Sequence, residues 1–128
     1  MESLLKALKA AADPTRLRIL RMLSVRPLCV CEVMEVLGMA QSTVSKHLII
    51  LAGAGLARSE PGGTWTVYRL AKPKASTPEA LLLKLVLSSK AGELSAADAS
   101  AVKRADRYSI CSSRREAKPK DRGAKWPA

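Results

Sequence analysis

The sequence predicts a mainly α-helical fold with one small β-hairpin, and three observations carry that prediction. Apolar residues recur at helical spacing through most of the first 90 residues. The core palette is Leu, Ile, Val, Met and Ala, with no Phe and only 3% aromatics, which suits helices better than a β-sandwich. Finally, two β-prone runs at 58–60 and 64–70 flank Pro61-Gly62-Gly63, the signature of a hairpin with a glycine loop. A length of 128 residues accommodates one domain with a tail.

Each element has its own local reason. Leu4, Leu5, Leu8, Ala11 and Ala12 share helical spacing, with Lys6 and Lys9 off that face, so a first amphipathic helix spans 3–12. Asp13-Pro14 is an N-cap acceptor followed by proline at the first helical position. In the helix it starts, Ile19, Leu20 and Leu23 share a face while Arg18 and Arg21 point away from it. Val25-Arg26-Pro27 ends the helix, because proline disfavours helix at the residue before it. A short helix at 32–37 closes at Gly38, and another begins near Gln41 with Val44, Leu48 and Leu51 as its buried stripe. Two short helices joined by a tight glycine-containing turn form a helix-turn-helix, and a hairpin directly after it is a wing. Trp65 and Tyr68 are expected to anchor that wing on the core. Lys72 to Ser76 is a linker, and Thr77-Pro78-Glu79 starts a helix that is apolar nearly all round. A helix greasy on two faces is either the centre of the core or also meets a second subunit. A weaker helix is expected from Ala96 to about Cys111. The expected organisation is a domain at 1–90, a helical extension at 91–113 and a basic disordered tail at 114–128.

Charge narrows the partners. The net charge is +11, of which residues 114–128 supply only +4, so the folded part is itself basic. A polyanion, nucleic acid first, is the natural partner. On the second helix of the pair, Gln41, Ser42, Thr43, Ser45 and Lys46 are candidates for the major groove, with His47 as a phosphate or packing contact. Arg58, Thr64 and Arg69 in the wing are candidate backbone contacts; each is equally explained as solvated surface. A two-fold dimer would read an inverted repeat in double-stranded DNA.

Three cysteines, two of them one residue apart, make a poor disulfide framework. Nothing resembles a signal peptide, and the longest apolar stretch, 48–57, is too short for a membrane span of ~20 residues. A cytoplasmic setting without membrane attachment is therefore expected, with thiols available as ligands. Cys29-Val30-Cys31 is a thiolate pair suited to soft metals or metalloids; its alternative is two small buried apolar residues. In a regular helix residues i and i+2 point ~200° apart, and in a strand they sit ~6.6 Å apart. Binding both sulfurs to one ion therefore calls for a bent or unwound backbone at 29–31. Cys111 is the one cysteine left to complete a three-sulfur site, and a free thiol is its alternative. His47 is the sole histidine, so a His/Asp zinc site on the helix after the wing is not available.

Four stretches together resemble the ArsR/SmtB family of bacterial metal-sensing repressors, over roughly residues 4–90. They are Ala12-Asp13-Pro14-Thr15-Arg16-Leu17-Arg18-Ile19-Leu20, Leu28-Cys29-Val30-Cys31-Glu32-Val33, Gln41-Ser42-Thr43-Val44-Ser45-Lys46-His47-Leu48, and Gly63-Thr64-Trp65-Thr66-Val67-Tyr68-Arg69-Leu70. Cys-Val-Cys looks like the element of the arsenite-responsive branch. The resemblance implies a homodimeric winged helix-turn-helix repressor that leaves its operator when As(III) or Sb(III) binds Cys29, Cys31 and a third sulfur. It also implies a dimer interface on the first and penultimate helices, with Leu4, Leu5, Leu8, Leu81, Leu82 and Leu85. The chain departs from the family pattern at Ala40, where serine is usual, at Ile49 and Ala52, where basic residues are frequent, and at Met34, where one branch has a third cysteine.

Besides a non-sensing DNA architectural protein, two other readings compete. The thiols are redox sensors in one, with Cys111 bonding Cys29 or Cys31. In the other the chain is a thiol enzyme, which lacks a base near the cysteines because His47 belongs to another element. No enzyme activity is expected.

Overall fold

The computed structural model describes residues 2–62, 65–88 and 96–106. Helix α1 (Glu2–Ala11) buries Ala7, Ala10 and Ala11, while Leu4, Leu5 and Leu8 of the same helix face outward. Small alanines let the helix sit close to its neighbours and leave the leucines for another surface. Helix α2 (Pro14–Val25) starts as its sequence dictates: Asp13 is extended, and its carboxylate accepts a 3.0 Å bond from the Arg16 amide. Ile19, Leu20, Met22 and Leu23 bury into the core, and Pro27 lies just past the end of the helix.

Strand β1 (Leu28–Cys29) has only two residues, and the sequence offered no alternation by which to read it. It pairs antiparallel with the wing, Leu28 opposite Tyr68 and Cys29 opposite Val67. Helix α3 (Val30–Leu37) follows at once, with Cys29 as its N-cap. It therefore begins two residues earlier than expected and takes in Cys31. Gly38 closes it at φ 66°, the left-handed position, and donates its amide to the Met34 carbonyl at 2.8 Å. After Met39 and Ala40, helix α4 (Gln41–Gly53) runs with Val44, Leu48 and Leu51 fully buried. Ala40 is extended and offers no side-chain cap.

Strands β2 (Ala57–Gly62) and β3 (Trp65–Leu70) form the wing hairpin, and β1 extends it to a three-stranded sheet of order β1-β3-β2. The two-stranded wing of the sequence reading thus gains a third strand that ties it to the start of α3. Tyr68 is fully buried and anchors β3 in the core. Helix α5 (Pro78–Ser88) buries Leu83 and Val86 but exposes Leu81 and Leu85. Helix α6 (Ala96–Arg104) packs on α2 and α3 and contributes Val102 to the same core.

Arg18 and Arg21, which the sequence turns away from the core face, join Arg26 in holding the C-terminal helices. Arg18 grips Asp98 of α6 with two bonds of 2.6 and 2.7 Å, and this pairing favours the charged guanidinium. Arg21 is buried and donates to the Val86 carbonyl near the end of α5 at 2.6 Å. Arg26 donates to the Val102 carbonyl at 2.8 Å and to the Ala105 carbonyl, meeting the negative end of the α6 dipole.

Candidate thiol site and nucleic-acid interface

Cys29 ends a strand and Cys31 lies in the first turn of a helix, so the backbone already turns between them. That junction brings the two Sγ atoms to 2.8 Å, both side chains being about 1% exposed. The bend that the spacing demanded is therefore part of the resting fold, not something a ligand must create. Two sulfurs on one metal at ~2.3 Å stand about 3.2–3.8 Å apart, so the pair needs to open by only about 0.4–1 Å. Cys31 stands in the disulfide-bonded form; its approach to Cys29 is a contact, since a covalent bond would bring the sulfurs to about 2.05 Å. Cys111 lies outside the described residues. Among the described residues no group of three or more His, Cys, Asp or Glu side chains could hold a metal ion.

What surrounds the pair comes from two elements. Trp65 packs against both cysteines. The register explains why: Cys29 pairs with Val67, and Trp65 lies two residues along β3 on the same face. Beneath the pair, Glu32 is 1% exposed and accepts the Cys29 amide at 2.9 Å. Its other oxygen meets Arg26 at 3.0 Å. The carboxylate thus joins the N-terminus of α3 to the arginine that holds α6. Sequence reasoning missed Glu32 and Arg26. The available signal was a glutamate three residues after an N-cap, the second half of a capping box with cysteine in the place of serine.

On α4, Ser42, Thr43 and Lys46 are exposed and Gln41 is half-buried. Ser45 departs from expectation: it is buried, within 3.3 Å of the Gln41 side-chain nitrogen, which donates to it. Its position lies about 60° past Leu48 around the helix, at the edge of the buried stripe. His47 is half-buried and turned toward α2, where Arg16 donates to Nδ1 at 3.2 Å. In the wing, Arg58 and Arg69 both lie near Glu60, at 3.9 and 3.1 Å. Thr64 lies outside the described residues.

Leu4, Leu5 and Leu8 of α1 and Leu81 and Leu85 of α5 are all exposed, whereas Leu82 is half-buried against the core. The two helices pack against each other, and Ser3 donates to Glu79 across them at 2.9 Å. No described helix is long and apolar enough to cross a membrane.

A helix-turn-helix followed by a hairpin wing defines a winged-helix DNA-binding protein. The model of the arsR family of bacterial regulatory proteins matches residues 13–59, from the α2 cap into β2. An uncharacterized HTH-type transcriptional regulator of Methanocaldococcus jannaschii is 44% identical over 61 residues, which cover 47% of this chain and 68% of that protein. The arsenical resistance operon repressor of Bacillus subtilis is 44% identical over 63 residues, 48% of this chain and 60% of the relative. That of Escherichia coli is 41% identical over 63 residues, 48% and 54%. The chain belongs to the arsR family, a family of DNA-binding transcriptional regulators and not of enzymes. The similarity spans between about half and two thirds of each of these relatives' length.

Proposed function

We propose that this chain is a homodimeric repressor that releases double-stranded operator DNA when As(III), or Sb(III), binds the thiolates of Cys29 and Cys31. The observation that carries this reading is the convergence of the two sulfurs at the strand-to-helix junction that leads into the helix-turn-helix. In the reduced protein each As–S bond forms as a thiol proton and an arsenite hydroxide leave together as water. Cys111 supplies the third sulfur. Opening the pair pushes on Trp65 and on the β1–β3 pairing, so capture shifts both the wing and the start of α3. That is a differential contact between two states, which coupling between sites requires. The similarity to arsenical resistance operon repressors supports the choice of inducer.

For DNA, α4 enters the major groove through Gln41, Ser42, Thr43 and Lys46. Arg58, Arg69 and Thr64 face the backbone, the two arginines exchanging Glu60 for phosphate. His47 and Ser45 support the helix from its inner side. The exposed leucines of α1 and α5 form the dimer interface, and two-fold symmetry directs the pair to an inverted repeat.

Cys31's disulfide-bonded form favours a second reading, in which Cys111 bonds Cys31 and oxidation is the signal. One experiment separates the two. A duplex selected from a randomised library by the wild-type chain is labelled, and its binding is followed by anisotropy with arsenite under reducing conditions or with an oxidant. Loss of binding with arsenite in wild type but not in Cys29→Ser or Cys31→Ser is the expected result. Release by oxidant alone transfers the function to the redox reading. If Cys111→Ser responds like wild type, the third ligand is external.

A further inference from the structure

The DNA-facing side of α4 carries an apolar group that the polar contacts do not account for. Ser42, Lys46 and Ile49 fall four and three residues apart, one continuous stripe along the solvent-facing side of the helix. Ile49 is 51% exposed, more than half as open as an unfolded side chain, and Ile50 beside it is 37% exposed. Nothing within the fold requires an isoleucine there, since the buried side of α4 is complete with Val44, Leu48 and Leu51. A half-exposed isoleucine gains only when an apolar partner covers it.

Resting on the assignment of α4 to the major groove, we infer that Ile49 is a specificity-determining residue that reads thymine by contact with its C5-methyl group. The major-groove edges of the four bases display hydrogen-bond donors and acceptors, and the thymine methyl is the one apolar group among them. The surroundings fit DNA and not a protein partner. Helix α4 has no acidic residue, and Lys46 one turn back supplies positive charge for phosphate or guanine. Two isoleucines are also far too small a patch for a stable protein interface, which buries roughly 1,200 Å² or more. Along the helix, Ile49 lies about 10 Å beyond Ser42 at ~1.5 Å per residue, within the same groove. The inferred operator therefore has a thymine in each half-site, displaced from the bases met by Ser42.

Removing the methyl without changing base pairing tests this. In the duplex selected by the full wild-type chain, each thymine is replaced in turn by deoxyuridine. The expected result is one or two positions per half-site where affinity falls about four-fold, the worth of one buried methyl-sized group. Ile49→Ala loses that sensitivity, binding both duplexes as wild type binds the deoxyuridine form, whereas Ile49→Val keeps most of it. At the same positions, cytosine to 5-methylcytosine raises the affinity of wild type but not of Ile49→Ala. Thermal melts of the variants stay close to wild type, because the side chain is exposed. Uniform indifference of wild type to deoxyuridine overturns the inference, as does an unchanged pattern in Ile49→Ala. Failure of wild type to select any duplex overturns the DNA assignment itself, a distinct outcome.

Discussion

At the scale of single residues, two carboxylates do more than their exposure suggests. Asp13 caps α2, and its carboxyl is held below its ordinary value of 3.8 chiefly by the Arg16 amide, helped by the charge of Arg16 and by His47, with burial opposing. A depressed folded-state value means that this stabilisation is present above the unfolded value near 3.8 and is lost as pH falls through the lower folded value. Asp13→Ala should therefore lower unfolding free energy by about 1 kcal/mol at pH 7 in urea titrations. Part of that difference should fade on acidification below pH ~4. If the gap between variant and wild type instead widens in acid, the cap does not act through its charge. Glu32 has a different role. Glu32→Gln preserves the acceptor for the Cys29 amide but removes the charge that meets Arg26. A loss of about 2 kcal/mol is expected, the range of hydrogen bonds to charged groups. Hydrogen exchange should quicken in α6 as well as at the start of α3, because Arg26 serves both.

At the scale of elements, α4 starts without a side-chain cap. Ala40 has the extended backbone of an N-cap but no oxygen to offer the orphan amides. Ala40→Ser should raise stability by about 1 kcal/mol, read from the midpoint of chemical unfolding at unchanged slope. An unchanged midpoint would mean that water already serves those amides as well as serine would. The sheet is the complementary case. Strand β1 would be negligible alone, yet pairing with β3 sets Trp65 over the cysteines and gives the thiol site its covered side. The wing is thereby linked to the site by backbone hydrogen bonds as well as by side-chain packing.

For the molecule as a whole, the proposed dimer rests on the exposed leucines. Leu85, at 63% exposure, and Leu81 stand out from α5 next to Leu4, Leu5 and Leu8 of α1. An apolar surface of that kind on a small basic protein is costly to leave in water. Replacing Leu81 and Leu85 together by lysine should convert a sedimenting dimer to a monomer with the helical circular-dichroism signal kept. DNA affinity should fall at least ten-fold, since one half-site then binds without its partner. A variant that remains dimeric would move the interface elsewhere.

Much of this protein was legible from the chain alone because its signals are local. The Asp13-Pro14 cap, the Gly38 stop and the stripe of Val44, Leu48 and Leu51 each follow from the chemistry of a few neighbouring residues. Those signals were enough for a winged helix-turn-helix with a cysteine pair beside it. Tertiary structure alone decided the contacts between residues distant in sequence. It paired Leu28 and Cys29 with the wing and turned Ser45 inward. It also gave Arg18, Arg21 and Arg26 to helices 65 to 80 positions away. The spacing of Cys29 and Cys31 shows the division most directly. Local geometry predicts sulfurs held apart in either regular helix or strand, but the junction between one and the other brings them together. Where a strand ends and a helix begins depends on long-range pairing as well as on composition.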